Sequence, residues 1–341
     1  MIRALVATDA WQPQINGVVR TLEQVAVFAP SFGIRPVFVT PDRFRTMPMP
    51  GYPEIRLSLA TAAALSDIIA EVRPQVVHVA TEGPIGIAAR AACLRHRLPL
   101  TTSYHTRFPE YVRARAPVPT ALSYALLRRF HNAAEGILVS TPSLEADLTQ
   151  RGFNNLMRWS RGVDLSRFRP RTTSTVDWPR PVWLNVGRVA VEKNLDAFLS
   201  LDLPGTKVIV GDGPQRAELQ ARYRDVRFLG ALDGTALADA YAQADVFVFP
   251  SRTDTFGVVI LEALAAGLPV AAYPEMGPLD IIEGTAAGVL SDDLHQAAMA
   301  CLSIDPAACV DLAARYSWEA SIGQFSDNLK RVIHRSGRAA A

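Results

Sequence analysis

Two acids, Asp254 and Glu262, stand in one short stretch, Ser251-Arg-Thr-Asp-Thr-Phe-Gly-Val-Val-Ile-Leu-Glu-Ala-Leu-Ala-Ala-Gly267, separated by seven residues. The first lies in a polar loop after the apolar run 245–250, the second inside a helix-forming run, Val258 to Ala266. A carboxylate in an otherwise apolar helix is costly to bury alone, and a ligand hydroxyl is one candidate partner. Arg188 and Lys193 sit in another such loop, after the apolar run 181–186. There they suit a diphosphate, arginine by a two-pronged hydrogen bond and lysine as a point charge; a salt bridge to Glu192 is the structural alternative. His105 follows the apolar run 100–103, and Asn16-Gly17 precedes a helix-like run, 18–28. Glycine at such a turn lets backbone N–H groups come close to a phosphate. The chain has no Asp-x-Asp and no His/Cys cluster. No metal and no other cofactor is therefore expected, fixed cations serving instead.

The elements that must position these residues alternate. Strand-like runs at 2–8, 35–40, 75–80, 100–103 and 136–140 are separated by helix-like runs such as 60–72 and 85–97. The pattern resumes at 181–186 and continues through 206–210, 245–250 and 268–272. Such alternation predicts an α/β protein with doubly wound parallel sheets, whose ligands lie at the carboxyl ends of the strands. The polar, proline-flanked stretch 171–180 reads as a linker between a first domain, 1–170, and a second, 181–317. The segment from about Trp318 to the end has helical spacing and is expected to pack back onto the first domain. Gly211 and Gly213 follow a strand but lack the spacing of an ATPase phosphate loop.

At 341 residues, 49% hydrophobic and 20% charged, the chain is long enough for two cores. Cys93, Cys301 and Cys309 show neither paired nor metal-ligand spacing, which fits a reducing compartment. The amino-terminal apolar run is too short for a signal peptide and reads as a strand. No run approaches a membrane span. The net charge of +2 hides an asymmetry: residues 1–170 carry 20 Arg against 12 acids, and residues 171–341 carry 15 basic residues against 21 acids. Between 107 and 130, arginines alternate with Phe108, Tyr111, Leu122, Tyr124, Leu126 and Leu127, interrupted by Pro117 and Pro119. That make-up suits an anionic membrane surface as well as a partly buried helix. No nucleic-acid-binding module is recognisable.

The acid pair followed by Ala and Gly267-Leu-Pro269 resembles the retaining GT-B glycosyltransferases of family 4. So do Asn16-Gly-Val-Val-Arg-Thr21, the His105 segment and the Gly187-Arg/Glu-Lys-Asn194 loop. The resemblance covers essentially the whole chain. It implies a GT-B fold, two Rossmann-like domains facing across a cleft, and transfer of a sugar from a nucleotide donor. Asp254 stands where the family usually has Glu. The resemblance implies that Asp254, His105, Thr255, the amides of Phe256 and Gly257, and Val258 hold the donor sugar, and that Glu262 holds the ribose. By the same resemblance Gly211, Gly230 and Leu232 border the nucleotide, Arg188 and Lys193 hold the pyrophosphate, and Asn16 and Gly17 lie beside it. Trp11, Arg107, Phe108, Tyr111, Arg128 and Arg129 are the candidates for acceptor or membrane contact.

The wording is closest to the branch of glycosyl-diacylglycerol synthases and mannosyltransferases. The expected reaction is therefore transfer of glucose or glucuronic acid from UDP to a membrane lipid, with diacylglycerol the first choice. GDP-mannose-dependent transfer to a lipid or saccharide, and a UDP-sugar epimerase of the same fold, are the alternatives. A glucuronate carboxylate would require a cation, for which Arg252 and Arg107 are candidates. The expected location is the cytoplasm, on the inner face of the cell membrane.

Overall fold

The computed structural model describes residues 1–14, 16–49, 52–115, 118–170 and 177–337. The chain forms two units, one of Met1–Ser160 with Trp318–Ala341, the other of Arg161–Ser317. The first begins β1 (Ile2–Ala7), α1 (Gly17–Phe28), β2 (Ile34–Val39), and a hairpin of β3 (Thr46–Met49) and β4 (Tyr52–Ser58). It continues α2 (Ala62–Val72), β5 (Val76–Val79), α3 (Pro84–Arg95), β6 (Leu100–Ser103) and α4 (Phe108–Arg115). Then come α5 (Thr120–His131), β7 (Gly136–Val139), α6 (Pro142–Gln150) and β8 (Leu156–Arg158). The second unit holds β9 (Val182–Val186), α7 (Leu195–Leu199), β10 (Thr206–Val210), α8 (Arg216–Arg222), β11 (Arg227–Gly230) and α9 (Gly234–Ala242). It goes on with β12 (Val246–Phe249), α10 (Val258–Ala265), β13 (Val270–Ala272), α11 (Pro278–Ile282), β14 (Gly288–Leu290), α12 (Leu294–Cys301) and α13 (Pro306–Ala313). The last helix, α14 (Trp318–Arg335), returns to the first unit.

Each unit is a six-stranded parallel sheet, ordered β2-β1-β5-β6-β7-β8 in the first and β11-β10-β9-β12-β13-β14 in the second. The inner strands are short, mostly apolar and buried on both faces, as parallel sheets require, whereas the edge strands β2, β8, β11 and β14 are only partly buried. Alternate residues serve opposite layers. Leu5, Ala7, Val77 and Val79 pack with α2 and α3, whereas Ala4, Val76 and Leu138 pack with Val25 of α1 and with α14. In the second unit Leu184, Phe247 and Val270 face α9, α10 and α13, and Trp183, Val246 and Ile209 face α7, α8 and α12.

Helix α14 buries Ile322, Phe325, Leu329, Val332 and Ile333, a spacing of three and four residues that forms one apolar stripe. Its polar groups are tied to the chain at the end of β8 and just beyond it. Ser321 Oγ donates to the Ser160 carbonyl at 2.8 Å, and Asn328 Nδ2 to the Arg158 carbonyl at 2.7 Å.

The unit boundary differs from the expected one. Residues 161–170, assigned from sequence to the first domain, belong to the second unit. Val163 N–H donates to the Tyr316 carbonyl at 3.0 Å, and Phe168 lies in the second core, edge-on to Tyr241. These apolar anchors outweigh the polar character of the stretch on either side of them. Of the expected linker, 171–176 lie outside the described residues, while Trp178 packs on the second core and Arg180 pairs with Asp245 at 2.8 Å.

Phe325 is fully buried, edge-on to His78 and 4.7 Å from the Trp159 ring. Phe325→Ala is expected to cost about 3–5 kcal/mol. Denaturant unfolding followed by tryptophan fluorescence would check this, with exposed Leu302→Ala within about 0.5 kcal/mol of wild type as the control.

Candidate active site

In the second sheet β9 lies between β10 and β12, and the connection leaving β9 runs to β10 on one side while that leaving β12 runs to β13 on the other. Ligands of open α/β sheets bind at that switch, outside the carboxyl ends of the two central strands. The loops there are 187–194 after β9 and 250–257 after β12, and they carry most of the residues singled out from sequence. They are fastened together. Ser251 and Thr253 hydroxyls donate to the Glu192 carbonyl at 3.4 and 3.1 Å, and Asn194 Nδ2 donates to the Pro250 carbonyl at 3.1 Å. Lys193 Nζ lies 2.7 and 2.9 Å from the two carboxylate oxygens of Asp254. The salt-bridge alternative thus has a different partner from Glu192, whose main chain is what the loops share. Arg188 is half-buried in the same loop as Lys193.

The neighbouring turns close against this platform. Gly187 N–H donates to the Val210 carbonyl at 2.9 Å and Gly211 N–H to the Gly230 carbonyl at 2.8 Å. Gly211 has φ +142°, and a Cβ there would lie 1.8 Å from the Gly187 carbonyl oxygen. Only glycine permits this approach. Leu232, next along, packs partly against the core.

Helix α10 starts at Gly257, which has φ +85° and no side-chain cap. With glycine at the cap position the first amides receive no bond from a cap side chain, while Ile260 N–H donates to the Gly257 carbonyl at 2.9 Å. The Phe256 side chain is buried in the core, leaving its main chain as the polar part it brings to the loop. Thr255 is buried and Val258 half-buried beside it. Glu262 is also buried, and Tyr241 of α9 donates its hydroxyl to Glu262 Oε2 at 2.9 Å. Tyr241 was not singled out from sequence. Its signal was a tyrosine on the core side of a helix, whose hydroxyl needs a partner as much as the buried acid does.

In the first unit the switch lies between β1 and β5. Asp9, also missed from sequence, occupies it. Its carboxylate accepts from Ile85 N–H at 2.8 Å, Gly86 N–H at 3.3 Å and the Thr81 hydroxyl at 3.0 Å, capping α3. Burial holds the Asp9 carboxyl above its usual range. Asn16 caps α1, its Oδ1 accepting from Val18 and Val19 N–H at 3.0 Å each, with Gly17 as the first helical residue. Two amides of the turn expected to approach a phosphate are therefore already satisfied by the chain itself.

His105 follows β6, half-buried and edge-on to Trp159 at 5.7 Å. Behind it His131 joins Thr102 Oγ1 at 2.8 Å to Glu82 Oε1 at 3.0 Å, a network not foreseen from sequence. Arg107 pairs with Glu110 at 3.1 Å, and Tyr124 donates to the same carboxylate at 2.7 Å. Burial pushes the Tyr124 phenol up to about 12. Tyr111 is half-buried on α4, and Trp11 lies against the Phe38 ring at 4.9 Å. Phe108, Leu122 and Leu126 are exposed, as are Arg113, Arg128 and Arg129. Arg252, the other cation considered for a sugar carboxylate, stacks on Tyr273 at 3.6 Å and pairs with Glu275 at 2.9 Å.

Among the described residues no three His, Cys, Asp or Glu side chains gather as a metal-binding group, and no helix is long and apolar enough to cross a membrane.

Two units, each a six-stranded parallel α/β sheet with a switch point, have the architecture of the GT-B fold. Solved structures agree: sucrose-phosphate synthase from Thermosynechococcus elongatus superposes with a TM-score of 0.75 at 20% identity, covering 98% of this chain and 99% of that one. The chain belongs to glycosyltransferase family 4. The model of that family matches residues 16–167, and that of the glycosyl transferases group 1 matches residues 180–304. A GDP-mannose-dependent alpha-mannosyltransferase of Mycobacterium tuberculosis is 31% identical over 85% of this chain and 83% of its own length. A sulfoquinovosyl transferase of Arabidopsis thaliana is 34% identical over 70% of this chain, a match spanning 50% of the plant protein. An alpha-monoglucosyldiacylglycerol synthase of Streptococcus pneumoniae is 24% identical over 86% of this chain and 76% of its own. The chain is a nucleotide-sugar-dependent hexosyltransferase.

Removing the phenol hydroxyl leaves one Glu262 oxygen without that donor inside the core. Tyr241→Phe is expected to lower stability by about 1–3 kcal/mol. Tyr223→Phe, whose hydroxyl binds the more exposed Asp196, is expected to cost less; calorimetric unfolding of both variants checks the difference.

Proposed function

We propose that the chain moves an uncharged hexose from a nucleoside diphosphate donor to a hydroxyl of a membrane lipid, with retention of anomeric configuration. The observation that carries the donor half is the stitched pair of loops at the switch point. There Lys193 pairs with Asp254, four residues before the first residue of α10, and Arg188 lies in the same loop as Lys193. Fixed cations and helix amides aimed at one place stabilise the charge that builds on a departing diphosphate. Asp254 and the Phe256-Gly257 amides orient the sugar, and Glu262 takes the ribose with its orientation held by Tyr241. His105 keeps the sugar-contacting role that the resemblance implies. No metal is needed in this scheme.

UDP-glucose is the first choice of donor. A glucuronate carboxylate finds less support, because Arg252 and Arg107 are each already paired with a glutamate. The second reading, GDP-mannose, is favoured by the M. tuberculosis relative, which matches this chain over most of both lengths.

The lipid half rests on α4 and α5. Phe108, Leu122 and Leu126 are 49%, 57% and 63% exposed, with Arg113, Arg128 and Arg129 at the surface of the same two helices. Apolar side chains among arginines suit the headgroup region of an anionic bilayer, and we assign the chain to peripheral attachment at the cytoplasmic face of the cell membrane. Diacylglycerol, the lipid part of the product in the pneumococcal relative's name, is the proposed acceptor.

Of UDP-glucose, UDP-glucuronate and GDP-mannose, each offered with vesicles containing diacylglycerol and read by mass spectrometry, UDP-glucose should give a product, a glucosylated lipid. A mannosylated product establishes the second reading, and transfer only to soluble saccharides removes the lipid. Lys193→Ala should slow turnover about a hundredfold or more; a wild-type rate would sink the phosphate assignment. Leu122→Ser with Leu126→Ser should reduce flotation with anionic vesicles while nucleotide binding, measured by calorimetry, stays unchanged.

A further inference from the structure

We infer that Asp254 acts as a counter-charge that weakens the hold on the nucleoside diphosphate product and so speeds its release, beyond any contact it makes with the sugar. The inference rests on the phosphate-binding reading of Lys193. Both oxygens of Asp254 lie within 2.9 Å of the ammonium, and the two side chains are only 17% and 22% exposed. At such a position solvent screens the pair less than at an open surface. The pair is built into the free chain: the hydroxyls of Ser251 and Thr253 and the Asn194 amide fasten the two loops. These loops leave strands that pair in register, Val246 with Trp183 and Phe247 with Leu184.

An incoming diphosphate therefore meets a lysine whose charge is already balanced, with a carboxylate one ion pair away. That carboxylate aims the ammonium and at the same time repels the phosphates. The repulsion is not equal for donor and product. Once the sugar leaves, the freed terminal phosphate carries about one more negative charge than the sugar-esterified one. Asp254 thus opposes the product more than the donor. A residue that only touched the sugar would have the reverse signature, holding the donor and leaving the bare diphosphate unaffected.

Calorimetric titration of the full chain with UDP, GDP and UDP-glucose separates these cases, using wild type, Asp254→Asn, Lys193→Ala and the double variant, with thermal melts to confirm folding. For whichever diphosphate the wild type binds, Asp254→Asn should bind it about tenfold more tightly, gain less for UDP-glucose, and lose the advantage as salt is raised. In the Lys193→Ala background the gain should shrink to about twofold or less. Unchanged affinity for the bare diphosphate with weaker UDP-glucose binding would make Asp254 a sugar contact alone and overturn the inference. Weakening of both ligands would overturn it too, leaving Asp254 as an aligner of Lys193. If Asp254→Asn does not fold, Asp254→Ser carries the same expectation. A wild type that binds neither UDP nor GDP defeats the donor reading itself, and this inference with it.

Discussion

Parallel pairing of β9 with β10 on one side and β12 on the other buries both faces of the central strands under helices. Inside such a sheet a polar side chain is costly unless it finds a partner, so most chemistry is displaced to the strand ends. The amino ends receive helices that have just finished, and the carboxyl ends release the chain into loops that begin new ones. Asn185 shows the cost within the sheet: buried mid-strand, it spends its amide on the Val248 carbonyl of β12. The charged residues of the second unit's site, Arg188, Lys193, Asp254 and Glu262, all come after a strand has ended.

That constraint also explains what could be read without coordinates. The alternation of apolar runs located nine of the twelve strands in the two parallel sheets, because a strand buried on both faces leaves a continuous hydrophobic signature. The edge strands β8, β11 and β14 and the β3–β4 hairpin were missed. The loops after β9 and β12 were legible because loops at those ends hold the glycines and charges. The break between units was not. Val163 and Phe168 are two apolar residues in an otherwise polar and arginine-rich stretch, and nothing local says which core they enter.

The partners of the site residues were harder still. Sequence spacing put Lys193 beside Glu192, whereas the sheet order brings it to Asp254, far along the chain. Tyr241 and Glu262 likewise meet only because α9 and α10 pack on one face of the sheet. In the first unit Asp9 spans the switch to cap α3, and His131 reaches across to Glu82. Each is a link between separate elements, which periodicity along one element cannot express. The anion-like site at the start of α3 is thus filled by the protein's own carboxylate, while the start of α10 is left to main-chain groups.

The return of α14 has a bearing on biosynthesis. The helix supplies Ile322, Phe325 and Leu329 to the same layer as Ala4, Val76 and Leu138. A layer begun at β1 is finished by a helix that comes after the whole second unit in the chain. The second unit has its sheet and covering helices complete by Ser317, so it is able to close first during synthesis. The earlier-made portion waits with one side of its sheet uncovered until α14 has been made.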